Sequence, residues 1–248
     1  IDSPRERLIA TITNTFVPCN GRFPTLIAII SMLIGHAVPG PLGNMVSALI
    51  LLGVITFAIG ITFLVSKILS VSILKGMPSS FVLELPPYRK PQIVRVIVRS
   101  IFDRTIFVLG RAVGIALPAG IIIWIMANLR IGPHSLLNCC ADFLEPFAFL
   151  IGLDGYILLA FILGLPANEI VMPIIIMGYL GAGSLLEPGN LNELRGLLLS
   201  HNWTWVTAIC TMLFSLMHFP CGTTCWTIAK ETQSIKWTVL SFLVPAIT

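Results

Sequence analysis

Apolar runs of roughly twenty residues alternate with short polar breaks along this chain, over residues 23–38, 45–69, 106–129, 156–180 and 203–219. Runs of that length suit helices that cross a hydrocarbon core, whereas barrel strands would be nearer ten residues and would alternate polar with apolar. The pattern predicts an all-α, polytopic membrane protein. Ser3-Pro4-Arg5-Glu6 has the form of an N-cap followed by proline at the first helical position, and opens a helix that should run to about Val17. Breaks fall inside the pattern at Pro18-Cys19-Asn20-Gly21, at Pro118, at Gly164-Leu165-Pro166-Ala167-Asn168-Glu169 and at Pro220-Cys221-Gly222. Proline lacks an N–H and clashes with the preceding turn, which predicts broken or re-entrant helices at these places. A short interfacial helix is expected over residues 136–149, and a last apolar run begins at Ile235.

Composition agrees with this reading. Hydrophobic residues make up 56% of the chain, charged ones 10%, and the mean hydropathy is +0.95, values that a water-soluble domain of this length would not show. The chain starts at Ile1 without Met or signal peptide and stops at Thr248 inside an apolar run, so both ends read as internal to a longer membrane protein.

The net charge of +4 is concentrated. Lys67, Lys75, Arg89, Lys90, Arg95, Arg99, Arg104 and Arg111 are opposed there only by Glu84 and Asp103. By the positive-inside rule this segment is cytoplasmic, and the basic balance speaks of topology rather than of nucleic acid. Within it, Arg95, Arg99 and Asp103 fall on one helical face, with Ile93, Val94, Ile97, Ile101 and Phe102 as apolar surface, which fits a helix lying in the headgroup zone. The sequence thus divides into residues 1–74, with a Pro-Cys break and two spans; an interfacial linker, 75–104; and a C-terminal membrane region, 105–248. Simple alternation of spans places Lys230 and Lys236 on the outside, against the rule. A re-entrant turn at Pro166 or at Pro220 would repair the parity.

Candidate chemistry sits at the breaks. Glu169 is the only charged side chain between Gly155 and Leu186, and an ionisable group at bilayer depth marks a solute path by default. Phe16-Val17-Pro18-Cys19-Asn20-Gly21 and His218-Phe219-Pro220-Cys221-Gly222-Thr223 echo one another about two hundred residues apart, each between apolar helices. Repeated broken helices point to a transporter's central site. Cys19, Cys221 and Cys225 offer sulfur, Glu169 a carboxylate, and Asn20, Asn168 and His218 further donors. Thiolate and imidazole suit later first-row dications, whereas carboxylate and amide oxygen alone would suit Mg or Ca. Cys221 and Cys225 are four apart and share a face if a helix restarts at Cys221. Against this stands the ordinary role of membrane cysteines as small buried hydrophobes, the reading adopted for Cys139, Cys140 and Cys210. His218 reads as a satisfied buried histidine rather than a ligand.

Pro18-Cys19-Asn20-Gly21-Arg22-Phe23-Pro24, Glu84-Leu85-Pro86-Pro87-Tyr88-Arg89, Gly164-Leu165-Pro166-Ala167-Asn168-Glu169-Ile170 and Pro220-Cys221-Gly222-Thr223 occur in an order and spacing that resembles the membrane gate domain of the FeoB ferrous iron transporters. The resemblance covers essentially the whole chain. It implies uptake of Fe(II) as substrate across the bacterial cytoplasmic membrane, with no permanently bound cofactor. It also implies paired gate regions carrying the cysteine motifs, a cytoplasmic GTP-binding domain, small accessory iron-transport proteins and association into a homo-oligomer. No Gly-x-x-x-x-Gly-Lys-Ser/Thr loop occurs here, so GTP would act only through a domain outside this chain. The site residues implied are Cys19, Glu169, Cys221, Cys225 and Asn168 on the pathway, with Pro18, Asn20, Gly21, Pro166, Pro220 and Gly222 shaping the breaks. Two other readings compete: a gate-type carrier of another solute such as a nucleoside, and a non-transporting membrane fragment. No nucleophile and base stand together to suggest an enzyme.

Overall fold

The computed structural model describes residues 3–34, 41–72, 74, 92–132, 134–185 and 191–247. The Glu84-Leu85-Pro86-Pro87-Tyr88-Arg89 motif, the linker up to residue 91, and Pro39 and Gly40 lie outside these residues. Among the described residues the helices are α1 (Pro4–Thr13), α2 (Phe23–Ile34), α3 (Pro41–Val71), α4 (Ile93–Arg99), α5 (Phe107–Asn128), α6 (Leu136–Leu150), α7 (Gly155–Leu163), α8 (Val171–Leu180), α9 (Leu191–Ser200), α10 (Trp205–Met217), α11 (Gly222–Thr232) and α12 (Ile235–Ile247). One antiparallel pairing of Arg130 and Ile131 with Ser135 and His134 is too short to alter the all-α class.

Among the described residues, four helical stretches are long and apolar enough to cross a membrane: Arg5–Leu33, Leu42–Val71, Val108–Asn128 and Trp205–Thr232. The first and last run straight through the Pro18 and Pro220 breaks, so neither break reverses the chain. The sharp bend, 106°, lies between α6 and α7. Helix α6 stands where the short helix was expected and buries one face, Leu137, Ala141 and Ala148, in the main core. Pro118 does not interrupt α5, since a membrane helix keeps its course when neighbouring groups re-satisfy one freed carbonyl. Nor does a turn separate the amphipathic stretch from the span: α4 passes through a π-helical segment, Ser100–Ile106, directly into α5.

Of the two candidate breaks, the chain reverses at Pro166. Helices α7 and α8 have 9 and 10 residues, about 14 Å each and so about half a bilayer. They form a hairpin. Tyr156 at the start of α7 meets Tyr179 at the end of α8 edge-on, with centroids 5.4 Å apart, and the Tyr179 hydroxyl donates to Asp154, the N-cap of α7. Gly164 to Ala167 is thus the tip of a helical hairpin whose two outer ends lie side by side. Independent contacts agree on the other side. Arg5 donates to the Ser70 hydroxyl (2.6 Å) and to the Leu74 carbonyl at the end of α3, Arg7 pairs with Glu231 (3.2 Å), and Arg111 bonds Thr227 (3.2 Å). The ends of α3 and α11 and the starts of α1 and α5 therefore share the basic side, and Lys230 joins the other cations there.

The core gathers around α2, α7, α8 and α10, where Leu26, Ile29, Ile157, Phe161, Ile175 and Ala208 are inaccessible or nearly so. Helices α3 and α5 instead turn Leu52, Phe63, Ile121 and Trp124 outward, as lipid-facing helices do. The α6–α7 corner depends on one glycine. Gly155 donates its N–H to Glu145 Oε2 at 2.5 Å, and a β-carbon there would run into the Ala141 carbonyl and meet Glu145 Oε2 at 2.8 Å. Gly155→Ala should therefore cost roughly 3 kcal/mol, at the upper end of overpacking effects, read as a fall in thermal unfolding midpoint in detergent. Gly53→Ala, with nothing within 4 Å, should leave the midpoint unchanged.

Candidate functional site

The three breaks meet. Val17 and Cys19, on either side of Pro18, are extended, between two 3₁₀ turns at Asn14–Phe16 and Asn20–Arg22. Cys221 is the N-cap of α11, and the hairpin tip re-forms as a 3₁₀ turn over Asn168–Ile170. Gly222 donates its N–H to the Leu165 carbonyl (2.6 Å), tying the second Pro-Cys break to the tip. Gly21 is buried under the tip, where a β-carbon would meet Glu169 Cγ at 3.0 Å. A side chain at this position would make Glu169 give way by a few tenths of an ångström.

Arg22 holds the two Pro-Cys breaks together. Its guanidinium, 2% exposed, donates to the Thr15 carbonyl (3.2 Å) on one side and to the Leu216 (2.9 Å) and His218 (3.2 Å) carbonyls on the other. These are carbonyls released by the breaks, and the planar fork suits several acceptors at once. Its Nε has no hydrogen-bond partner among the described residues.

Between the breaks lies a cleft of about 270 Å³. Cys19, Arg22, Asn168, Pro220, Cys221 and Thr224 line it, with Pro18 and Asn14 at its edge. The buried Asn168 amide lies between Cys19 Sγ, 3.8 Å from Nδ2, and His218 Nε2, 3.3 Å from Oδ1. Cys221 Sγ lies 3.0 and 3.1 Å from the Thr223 and Thr224 hydroxyls. Beyond Asn14 and Thr224 the cleft continues into a groove of about 420 Å³ between α1 and α11, passing Thr11 and Thr227 to the Arg7–Glu231 pair on the basic side.

Of the predicted pathway residues, the structure brings Cys19, Asn168 and Cys221 to one cleft and leaves two aside. Helix α11 begins at Gly222 rather than at Cys221, and Cys225 turns its sulfur to the Pro220 carbonyl (3.7 Å). Glu169 is exposed, with its Oε1 over Gly21, and forms no hydrogen bond or ion pair among the described residues. Of the break-shaping residues, Pro18 and Pro220 line the cleft, Gly21 and Gly222 contact the tip, Pro166 turns it, and Asn20 is exposed away from the cleft. All six cysteines are free thiols. Among the described residues no three His, Cys, Asp or Glu side chains stand close enough to hold a metal ion together. Sequence reasoning missed Arg22, although the signal was there: it is the only Asp, Glu, Lys or Arg between Arg7 and Lys67.

Two family profiles match the chain. One, described as Gate, nucleoside recognition, covers residues 109–235, just over half of the chain, including the hairpin tip and the second Pro-Cys break. The other, ferrous iron transport protein B C terminus, covers residues 51–104. Among curated proteins, the Fe(2+) transporter FeoB of Staphylococcus aureus strain MSSA476 is 27% identical over 100% of this chain and 36% of its own length. That of Campylobacter jejuni is 25% identical over 98% of this chain and 40% of its own. A Porphyromonas gingivalis protein named as a fusion of Fe(2+) transport protein A with Fe(2+) transporter FeoB is 22% identical over 98% of this chain. The chain thus spans under half the length of these relatives. No solved structure matches it. The chain belongs to the Gate family and, within it, to the membrane part of the FeoB proteins.

Proposed function

We propose that this chain is the membrane part of a ferrous iron uptake transporter, and that Fe(II) passes through the cleft between the three breaks. The observation that carries this reading is the convergence of Cys19, Asn168 and Cys221, from three separate broken helices, on one cleft near mid-span. Two sulfurs and an amide oxygen are donors suited to a first-row dication. They fall short of the closed four-ligand shell of a structural site, as suits an ion that must also leave. The nucleoside reading fits less well, because no aromatic side chain lines the cleft to take a base.

The relatives' printed name supports iron(II) as the substrate, and the fusion protein supports a small accessory partner. In this reading the basic side faces the cytoplasm, in the bacterial cytoplasmic membrane, by the positive-inside rule. On that side a GTP-binding domain outside this chain would act, and the lipid-facing helices offer surface for a homo-oligomer. The chain itself performs transport and no bond-making chemistry.

The test is uptake of radioactive iron(II) by cells that rely on the full-length protein. Cys221→Ser keeps volume and a hydroxyl while removing soft-ligand character, and it should lower the initial rate at least tenfold, about 1.4 kcal/mol of barrier, at unchanged protein level in the membrane. Unchanged uptake in both Cys221→Ser and Asn168→Leu would refute a route through this cleft.

A further inference from the structure

The hydrogen bonds around His218 fix which end of the Asn168 amide faces the cleft. His218 is 3% exposed, and its Nδ1 lies 2.9 Å from the Ser215 carbonyl and 3.2 Å from the Phe214 carbonyl. Carbonyls only accept, so the ring proton sits on Nδ1 and Nε2 presents a lone pair. A second proton on Nε2 would place another buried positive charge beside Arg22, whose guanidinium is bonded to the His218 carbonyl. A lone pair needs a donor, and the only donor the Asn168 side chain has is its NH₂. Oxygen and nitrogen of an amide are told apart by such partners. The NH₂ therefore donates to His218 Nε2, and Oδ1 takes the position 3.8 Å from Cys19 Sγ.

We propose that His218 is a positioning residue, which locks Asn168 with its oxygen towards Cys19 so that Oδ1 and Sγ present a two-point oxygen–sulfur bite to a divalent cation in the cleft. The spacing suits this. Metal–sulfur and metal–oxygen bonds of about 2.3 and 2.1 Å set a donor separation of roughly 3.1 Å at a right angle and 3.6 Å at the tetrahedral angle. The pair at 3.8 Å closes onto an ion by a few tenths of an ångström. Turned the other way, the amide would offer N–H to the ion and repel it. His218 touches no ion in this arrangement and acts as an outer partner that orients a ligand.

The inference rests on the iron-transport reading, and its test separates the two. Cobalt(II), as a spectroscopic stand-in for iron(II), is titrated into the purified full-length protein without oxygen, following the sulfur-to-cobalt charge-transfer absorption, with thermal unfolding as a check on folding. His218→Leu removes the acceptor and should weaken cobalt binding at least tenfold. His218→Gln keeps an acceptor towards Asn168 and should stay within threefold of the wild type. Asn168→Asp has an oxygen at either end and needs no orienting, so adding His218→Leu in that background should cost less than twofold. Such a lost coupling is what a double-mutant cycle isolates. An equal loss in both backgrounds, or none in either, would overturn the positioning role while leaving the cleft as a metal route. A wild-type protein that shows no cobalt–sulfur band would overturn the metal reading and this inference with it.

Discussion

Arg22→Leu should unfold the centre of the protein at markedly lower temperature. The substitution leaves the carbonyls of Thr15, Leu216 and His218 buried without donors. Hydrogen bonds to charged groups contribute about 1.5–3 kcal/mol each in soluble proteins, and bonds between membrane helices average about 0.6 kcal/mol. Losing the desolvation cost of a buried guanidinium offsets part of the damage. A net loss of about 3 kcal/mol follows for the three together, from these ranges. Arg22→Lys keeps the charge, but one ammonium cannot span carbonyls on two loops as a planar fork does, so it should fall between. Thermal unfolding in detergent reads the loss. Alkylation of Cys221 by a small maleimide reads its location, and should quicken at least tenfold as the second break comes loose. An unfolding midpoint unchanged in Arg22→Leu would show that the two Pro-Cys breaks hold together without the guanidinium.

Glu169→Gln should abolish most transport while leaving the fold intact. The carboxylate has no hydrogen-bond or ion-pair partner among the described residues, so the amide replaces it at no structural cost. Its electrostatic effect is larger. A dication about 6 Å from a carboxylate is attracted by about 5 kcal/mol at an effective dielectric of about 20. If a third of that acts at the barrier, uptake falls more than tenfold. Iron(II) uptake by the full-length protein and its amount in the membrane are the two measurements. Normal uptake in Glu169→Gln would remove the carboxylate from the route. Reduced protein with normal uptake per molecule would make its charge structural.

The sequence made the breaks legible because proline and glycine act locally, although regular helix ends a little before each proline: α1 stops at Thr13 and passes through a 3₁₀ turn rather than running to Val17, α7 stops at Leu163 and α10 at Met217. It did not decide which break reverses the chain. That outcome depends on the contacts of Tyr156 with Tyr179 and of Arg7 with Glu231, residues 23 and 224 positions apart. Pro118 carried the same local signal and produced no break, because the surroundings decide whether a freed carbonyl reorganises the helix. The same contrast holds at the site. Lone charges in apolar runs were informative twice, at Glu169 and at Arg22, but only the acid was read as functional. The cation proved to be the buried one, with the acid exposed at the tip. Cys225 depended on where the helix restarts: with α11 starting at Gly222, Cys221 stands in the cap and Cys225 turns its sulfur to the Pro220 carbonyl rather than into the cleft lining. The orientation of Asn168 was out of reach, since it follows from a ring proton set by carbonyls 46 and 47 residues or more away along the chain.

The permanent charge on Arg22 bears on how long an ion stays. A dication in the cleft feels the guanidinium as a repulsion of the same order, about 5 kcal/mol at about 6–7 Å, as the attraction it feels from Glu169. The two long-range terms offset one another, and what remains to retain the ion is short-range bonding to sulfur and amide oxygen. Such a site has a shallow well with narrow walls: it sorts ions by donor preference, yet dwell times stay short and the exit rate keeps pace with entry. On the proposed iron route, the fixed cation beside the ligands would make this cleft a place of brief passage rather than of storage.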